Sequence, residues 1–189
     1  MVKIFVVDNG GQWTHREWRV LKYLDVDTKI VPNTAPFSEI ADVDGLILSG
    51  GAPRIAIESS LGNCGKYLEK ANFPILGICA GHQFMAKYFG GNAEACKIPE
   101  FGKVELIRLK NNDAIFEGVP KKSTAWLSHN DEVTKIPDDF EILAYSKDCK
   151  VQAMQHKTRP LFGLQFHPEV EHTEYGEQIF KNFVKICEK

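Results

Sequence analysis

Through the first half of the chain, short continuous apolar runs alternate with apolar residues set at helical spacing. Residues 2–8 read as a buried strand, and 12–24 carry Trp13, Trp18, Leu21 and Leu24 on a helical repeat. Residues 27–31 predict a second strand. Gly45-Leu46-Ile47-Leu48 predicts a third, ending in Ser49-Gly50-Gly51. A helix follows over 60–71, a strand over 74–78 and a helix from Gly81 to Tyr88. Unbroken apolar strands separated by helices predict βαβ units on a parallel sheet covered on both faces.

The second half changes character. Segments 104–109, 123–127, 140–145, 151–155 and 161–166 read as closely spaced strands with no helix-length insert, which predicts a mixed or antiparallel extension of the same sheet. The chain closes on an amphipathic helix over 173–187, with Tyr175, Ile179, Phe180, Phe183 and Val184 on one face. The expected fold is α/β: one domain over 1–189, a mostly parallel central sheet flanked by helices, and added antiparallel strands.

Composition narrows the class. A chain of 189 residues, 43% hydrophobic and 25% charged, suits a single globular domain. A net charge of −2 gives no footprint for nucleic acid or an anionic membrane. No segment has the form of a signal peptide or a transmembrane span. The five cysteines (64, 79, 96, 149 and 187) are odd in number and contain no C-x-x-C pair. That argues against a disulfide framework or a zinc site and points to a reducing, cytoplasmic setting.

One cysteine stands apart. Gly77-Ile78-Cys79-Ala80-Gly81 follows an apolar strand with the form of a nucleophile elbow, a tight strand-to-helix turn that lifts one side chain clear of the backbone. A thiol there is either a nucleophile or a small buried apolar group. A second site decides between them. The strand ending in Phe166 runs straight into His167-Pro168-Glu169. Pro168 favours extended geometry at His167, so residues i and i+2 share a side and Glu169 can orient the imidazole as a base. Such a tripeptide is more often a plain surface turn, and Gly50-Gly51 taken singly a plain tight turn. Together they read as nucleophile, base and orienter (Cys79, His167, Glu169), with Gly51 and Ala80 N–H groups as an oxyanion hole.

Gly77-Ile78-Cys79-Ala80-Gly81-His82-Gln83, taken with Gly163-Leu164-Gln165-Phe166-His167-Pro168-Glu169, resembles the class I (triad) glutamine amidotransferases over nearly the whole chain. The resemblance implies that Cys79 attacks the side-chain amide of L-glutamine, forming a γ-glutamyl thioester that is hydrolysed to glutamate, with release of ammonia. It places Gly50, Gln83, Ser128, His129, Asn130 and Asp131 around the glutamine. Many relatives carry glycine where this chain has Asn130 and a bulkier residue at Ala80. Asp8-Asn9-Gly10-Gly11-Gln12, Trp126-Leu127-Ser128-His129-Asn130-Asp131 and His167-Pro168-Glu169-Val170-Glu171-His172-Thr173 are most similar to the branch that serves GMP synthetase as a separate subunit.

No G-x-x-x-x-G-K-[ST] loop is present, and Ala52-Pro53-Arg54 follows Ser49-Gly50-Gly51 without the Asp-Ser of a pyrophosphatase loop. The resemblance therefore implies no cofactor or metal in this chain. ATP and Mg belong to an ATP-pyrophosphatase partner, in a heterodimer that aminates XMP. A glutaminase for anthranilate or aminodeoxychorismate synthesis, and a silent regulatory module, remain open alternatives. His82 and His129 are expected to shape the pocket, and His172 to contact the partner. Trp13 and Trp18 are expected in the core, and Cys64, Cys96, Cys149 and Cys187 as structural.

Overall fold

A computed structural model describes residues 1–188 of the chain, and its first half follows the predicted alternation. The elements are β1 (Ile4–Asn9), α1 (Thr14–Tyr23), β2 (Ile30–Pro32), β3 (Gly45–Gly51), α2 (Cys64–Lys70), β4 (Ile75–Ile78) and α3 (Ala80–Tyr88). Then come β5 (Asn92–Arg108), β6 (Lys122–Lys135), β7 (Phe140–Tyr145), β8 (Ala153–His156), β9 (Leu161–Leu164) and α4 (Gly176–Cys187). The nine strands form one sheet in the order β2-β1-β3-β4-β9-β8-β7-β5-β6. β2 through β9 in that order pair in parallel. The remainder, from β9–β8 outward, is antiparallel.

Two apolar layers sandwich the sheet, and the period of two along each strand sorts residues between them. Phe5, Val7, Leu46, Leu48 and Ile75 face the layer that takes α2 and α3. Ile4, Val6, Ile47, Leu76 and Ile78 face the layer that takes α1 and α4. Ile179, Phe180 and Phe183 of α4 are buried against that second face, each worth about 1.5–3 kcal/mol on removal from water.

The antiparallel extension is longer than its apolar pattern predicts. The strands expected at 104–109 and 123–127 are the inner part of a β5–β6 hairpin whose ladder continues through Glu100↔His129 and Ala95↔Asp131 to Asn92↔Lys135. The outer part of β5 is mostly exposed and mixes polar with apolar residues, so backbone pairing holds it and its side chains show no apolar alternation. Likewise β3 runs on through Ser49-Gly50-Gly51, because Gly51 pairs with Asn9. Helix α4 starts at Gly176, three residues later than expected, after Tyr175 at φ 61°.

Candidate active site

The strand β4 ends at Ile78 and α3 begins at Ala80, so Cys79 alone makes the turn, at φ 49° and ψ −104°. That is strained backbone for a non-glycine residue, of the kind held only where the surroundings impose it. Its glycine neighbours serve proximity and not positive φ. A Cβ on Gly81 would lie 2.2 Å from the Leu48 oxygen, and one on Gly77 would lie 2.7 Å from the Gly81 carbonyl carbon. Cys79 as a residue keeps 8% exposure. Its Sγ lies 3.6 Å from Gln165 Nε2 and 3.9 Å from the Ser128 carbonyl oxygen.

His167 and Glu169 sit in a turn, closed by Val170 N–H donating to the His167 carbonyl at 3.3 Å, where extended chain was expected. The pairing survives. His167 Nδ1 lies 2.6 Å from Glu169 Oε1, which leaves Nε2 on the side of the ring that the Cys79 side chain influences. The His167 N–H donates to Trp126 O at 2.9 Å, and Thr173 Oγ1 donates to His167 O at 2.7 Å. Burial alone would lower the imidazole's pKa. The Glu169 carboxylate and the Cys79 side chain outweigh burial and raise it to about 10.

Two recesses meet at Cys79. The smaller, about 110 Å³, is bordered by Gly51, Ala80, Gln83, Ser128, His129, Asn130 and Asp131, which brings the expected pocket residues together except Gly50, which lines the other recess. Their side chains divide the work differently from a simple ring of ligands. Gln83 Nε2 donates to Asp131 O at 2.7 Å and to Gln165 Oε1 at 2.9 Å. His129 is turned into the wall, with Nε2 2.9 Å from Glu100 Oε2 and Nδ1 2.9 Å from Asp131 O. The Asp131 carboxylate accepts Arg54 Nε at 2.9 Å and the Ala56 N–H at 3.1 Å, so it braces the 52–58 loop. Burial would raise Asp131; the Arg54 and Ala56 hydrogen bonds reverse that and lower it. Asn130 is exposed at the rim. Ala80 starts α3, where first-turn N–H groups lack intrahelical partners.

The larger recess, about 280 Å³, lies toward the N-terminal side, bordered by the Gly10–Thr14 loop, Glu17, Gly50, Cys79, His167 and Glu169. Gly50 is wedged in its wall: a Cβ there would lie 3.2 Å from His167 Cε1 and 3.5 Å from Cys79 Cβ.

Several side chains here escaped the sequence reading. Trp13 is not core but lines the larger recess, its ring edge-on to His167 at 4.4 Å. Gln165 links thiol to pocket, signalled only by a polar residue at a strand end. Glu17 stands on the buried stripe of α1, and a charge on an apolar face was the available signal. His82, expected to shape the pocket, is wholly buried with Nε2 3.2 Å from Val151 O, and burial lowers it to about 3. His172 lies tilted against Trp126, with ring centroids 5.0 Å apart. Trp18 packs against the α1–α4 layer as expected. Burial pushes Cys64 and Cys96 up to about 12 and Cys149 and Cys187 upward also. Glu100, His129 and Cys149 lie within 4.8 Å of one another, but Ser146, Gln152 and His129 already occupy the Glu100 carboxylate. Among the described residues no helix is long and apolar enough to cross a membrane.

The family model described as glutamine amidotransferase class-I matches residues 5–187. The glutamine-hydrolyzing GMP synthase subunit of Thermoplasma acidophilum is 56% identical over 188 residues, covering 99% of this chain and 94% of that protein. The protein of the same name from Methanocaldococcus jannaschii is 50% identical over 187 residues, covering 97% of each. A crystal structure of a T. acidophilum protein described as the same GMP synthase component superposes with a TM-score of 0.94, over all of this chain and 94% of that one, at 56% identity. A glutamine amidotransferase structure from Thermotoga maritima shares the fold at 19% identity, TM-score 0.74, over 97% of this chain and 81% of that one.

Proposed function

The chain belongs to the class I glutamine amidotransferase family, and we propose that it hydrolyses L-glutamine and passes ammonia to a GMP synthetase partner that aminates XMP. The observation that carries the reading is a thiol on a strained elbow beside an imidazole held 2.6 Å from a carboxylate. With the proton of the pair already on His167, Cys79 Sγ attacks the glutamine Cδ. The tetrahedral oxyanion is met by the Gly51 and Ala80 N–H groups. His167 then returns the proton to the amide nitrogen, the C–N bond breaks and ammonia leaves a γ-glutamyl thioester. Water, deprotonated by His167, adds to the thioester; glutamate departs and the thiol regains a proton. Glu169 keeps the imidazole oriented and charged when protonated.

Gly50, Gln83, Ser128, His129, Asn130 and Asp131 frame the glutamine, with Asp131 and His129 acting through the walls they hold. In this reading the chain itself needs no metal or cofactor, and ATP and Mg are the partner's. The two chains form a cytoplasmic heterodimer, a setting that suits five free cysteines. His172, half-exposed on Trp126, faces the partner. Full-length similarity to GMP synthase subunits favours this acceptor over anthranilate or aminodeoxychorismate.

Two measurements test the reading. A glutamine-mimicking diazoketone should alkylate Cys79 alone, the other thiols being held protonated by burial, and Cys79→Ala should abolish labelling. With a purified synthetase, XMP and ATP, the chain should support glutamine-dependent formation of GMP. Labelling elsewhere with Cys79 spared would refute the mechanism, and hydrolysis without XMP amination would refute the pathway.

A further inference from the structure

Glu17 is a carboxyl where the repeat of α1 asks for an apolar side chain, one turn after Trp13 and one turn before Leu21. It is 1% exposed and borders the larger recess together with Cys79, His167 and Glu169. Its Oε2 is buried without a hydrogen-bond partner, and so is Glu169 Oε2. A buried carboxylate oxygen left unpaired is costly, and two negative carboxylates in one recess repel as well. A single proton resolves both problems. Glu169, 2.6 Å from the His167 ring, is the carboxyl with an imidazole partner. Glu17 has no cation of its own and is the one to be neutral. The Gly50 backbone faces it, and Gly50 in turn abuts both His167 and Cys79.

We propose that Glu17 is a positioning residue that works as the neutral acid. It accepts the Gly50 N–H and turns its O–H toward the unpaired oxygen of Glu169, joining the end of β3 and the triad carboxylate into one rigid unit. Burial first, and the Glu169 charge second, raise the Glu17 carboxyl well above its ordinary range; the other charged groups facing it are His167 and Cys79. The inference rests on the proposed roles of Cys79, His167 and Glu169.

The test compares Glu17→Gln with Glu17→Leu by the rate at which the diazoketone alkylates Cys79 in the chain alone, as a function of reagent concentration. Gln is neutral and keeps a donor and an acceptor, so the maximal rate should stay within about threefold of the parent. Leu should lose about 10- to 100-fold in maximal rate with half-saturation unchanged, as expected when a reacting pair is misaligned. Infrared spectra near neutral pH should show a protonated-carboxyl C=O stretch that shifts in D2O and disappears in Glu17→Gln. Equal losses in both variants, full activity in Glu17→Leu, or no such band would each overturn the proposal. An unlabelled Cys79 in the parent chain would count against the proposed function and not against Glu17, whose infrared signature would still decide its protonation.

Discussion

His167 and Glu17 both hold protons that the unfolded chain would release, and this sets how stability varies with pH. His167 has its folded pKa raised to about 10, so the stability it lends is complete below its unfolded value of about 6.5 and is lost as pH climbs toward 10. Glu17 is raised as well, so folding takes up a proton above about pH 4.3, and stability falls as pH rises. The melting temperature should therefore decline between pH 6.5 and 10. Glu17→Gln should melt higher than the parent at pH 8, the gap closing toward pH 4; a gap independent of pH would count against a protonated Glu17. In the proposed mechanism catalysis depends on the other carboxyl. Glu169→Gln should lower kcat for glutamine by about 10²- to 10⁴-fold with little change in KM, as read by glutamate release.

At the scale of elements, the elbow exists because α3 starts hard against β3 and β4. A methyl group on Gly81 would collide with the backbone oxygen of Leu48, which no rotamer change relieves. Gly81→Ala should cost about 1–3 kcal/mol, a fall of about 2–12 °C in Tm by calorimetry; an unchanged Tm would mean the helix does not pack there. The 52–58 loop depends on a latch, the buried Asp131 carboxylate gripping Arg54 and the Ala56 N–H. Arg54→Ala should raise KM for glutamine several-fold more than it lowers kcat, and equal effects on both would place the latch in the chemistry. The sequence showed the elbow and the His167–Glu169 pairing clearly, because glycines, a cysteine and a His-Pro-Glu turn stand at strand ends where apolar runs stop. It showed the parallel half for the same reason. The hairpin of β5 and β6 was half legible, since its outer ladder rests on backbone bonds that leave no side-chain pattern. Glu17 and Gln165 left only a faint mark, a polar residue where an apolar one was due, and Trp13 left none, because their roles come from tertiary proximity across long stretches of chain. Arg54 belongs with them, since only the fold brings it to Asp131.

At the scale of the molecule, the sheet joins two halves of different make. The parallel half supplies the thiol and the glycine strand, and the antiparallel half supplies the pocket wall through Ser128–Asp131. The site lies on their seam, with one recess on each side of Cys79. Glutaminase turnover in the isolated chain should be low, and addition of synthetase with XMP and ATP should raise it. Equal turnover with and without the loaded partner would refute that coupling.

The sheet order also has a bearing on synthesis. β4 carries the elbow early in the chain, yet its neighbour on one side is β9, made nearly ninety residues later. While the ribosome is still translating the intervening hairpin, β4 presents an open edge, and the thiol has neither its imidazole nor the pocket floor from Gln165. A nascent chain therefore cannot squander glutamine, but it does expose an unpaired apolar strand at its centre. Shielding of that edge by chaperones, and the speed at which translation reaches β9, become determinants of the yield of folded protein.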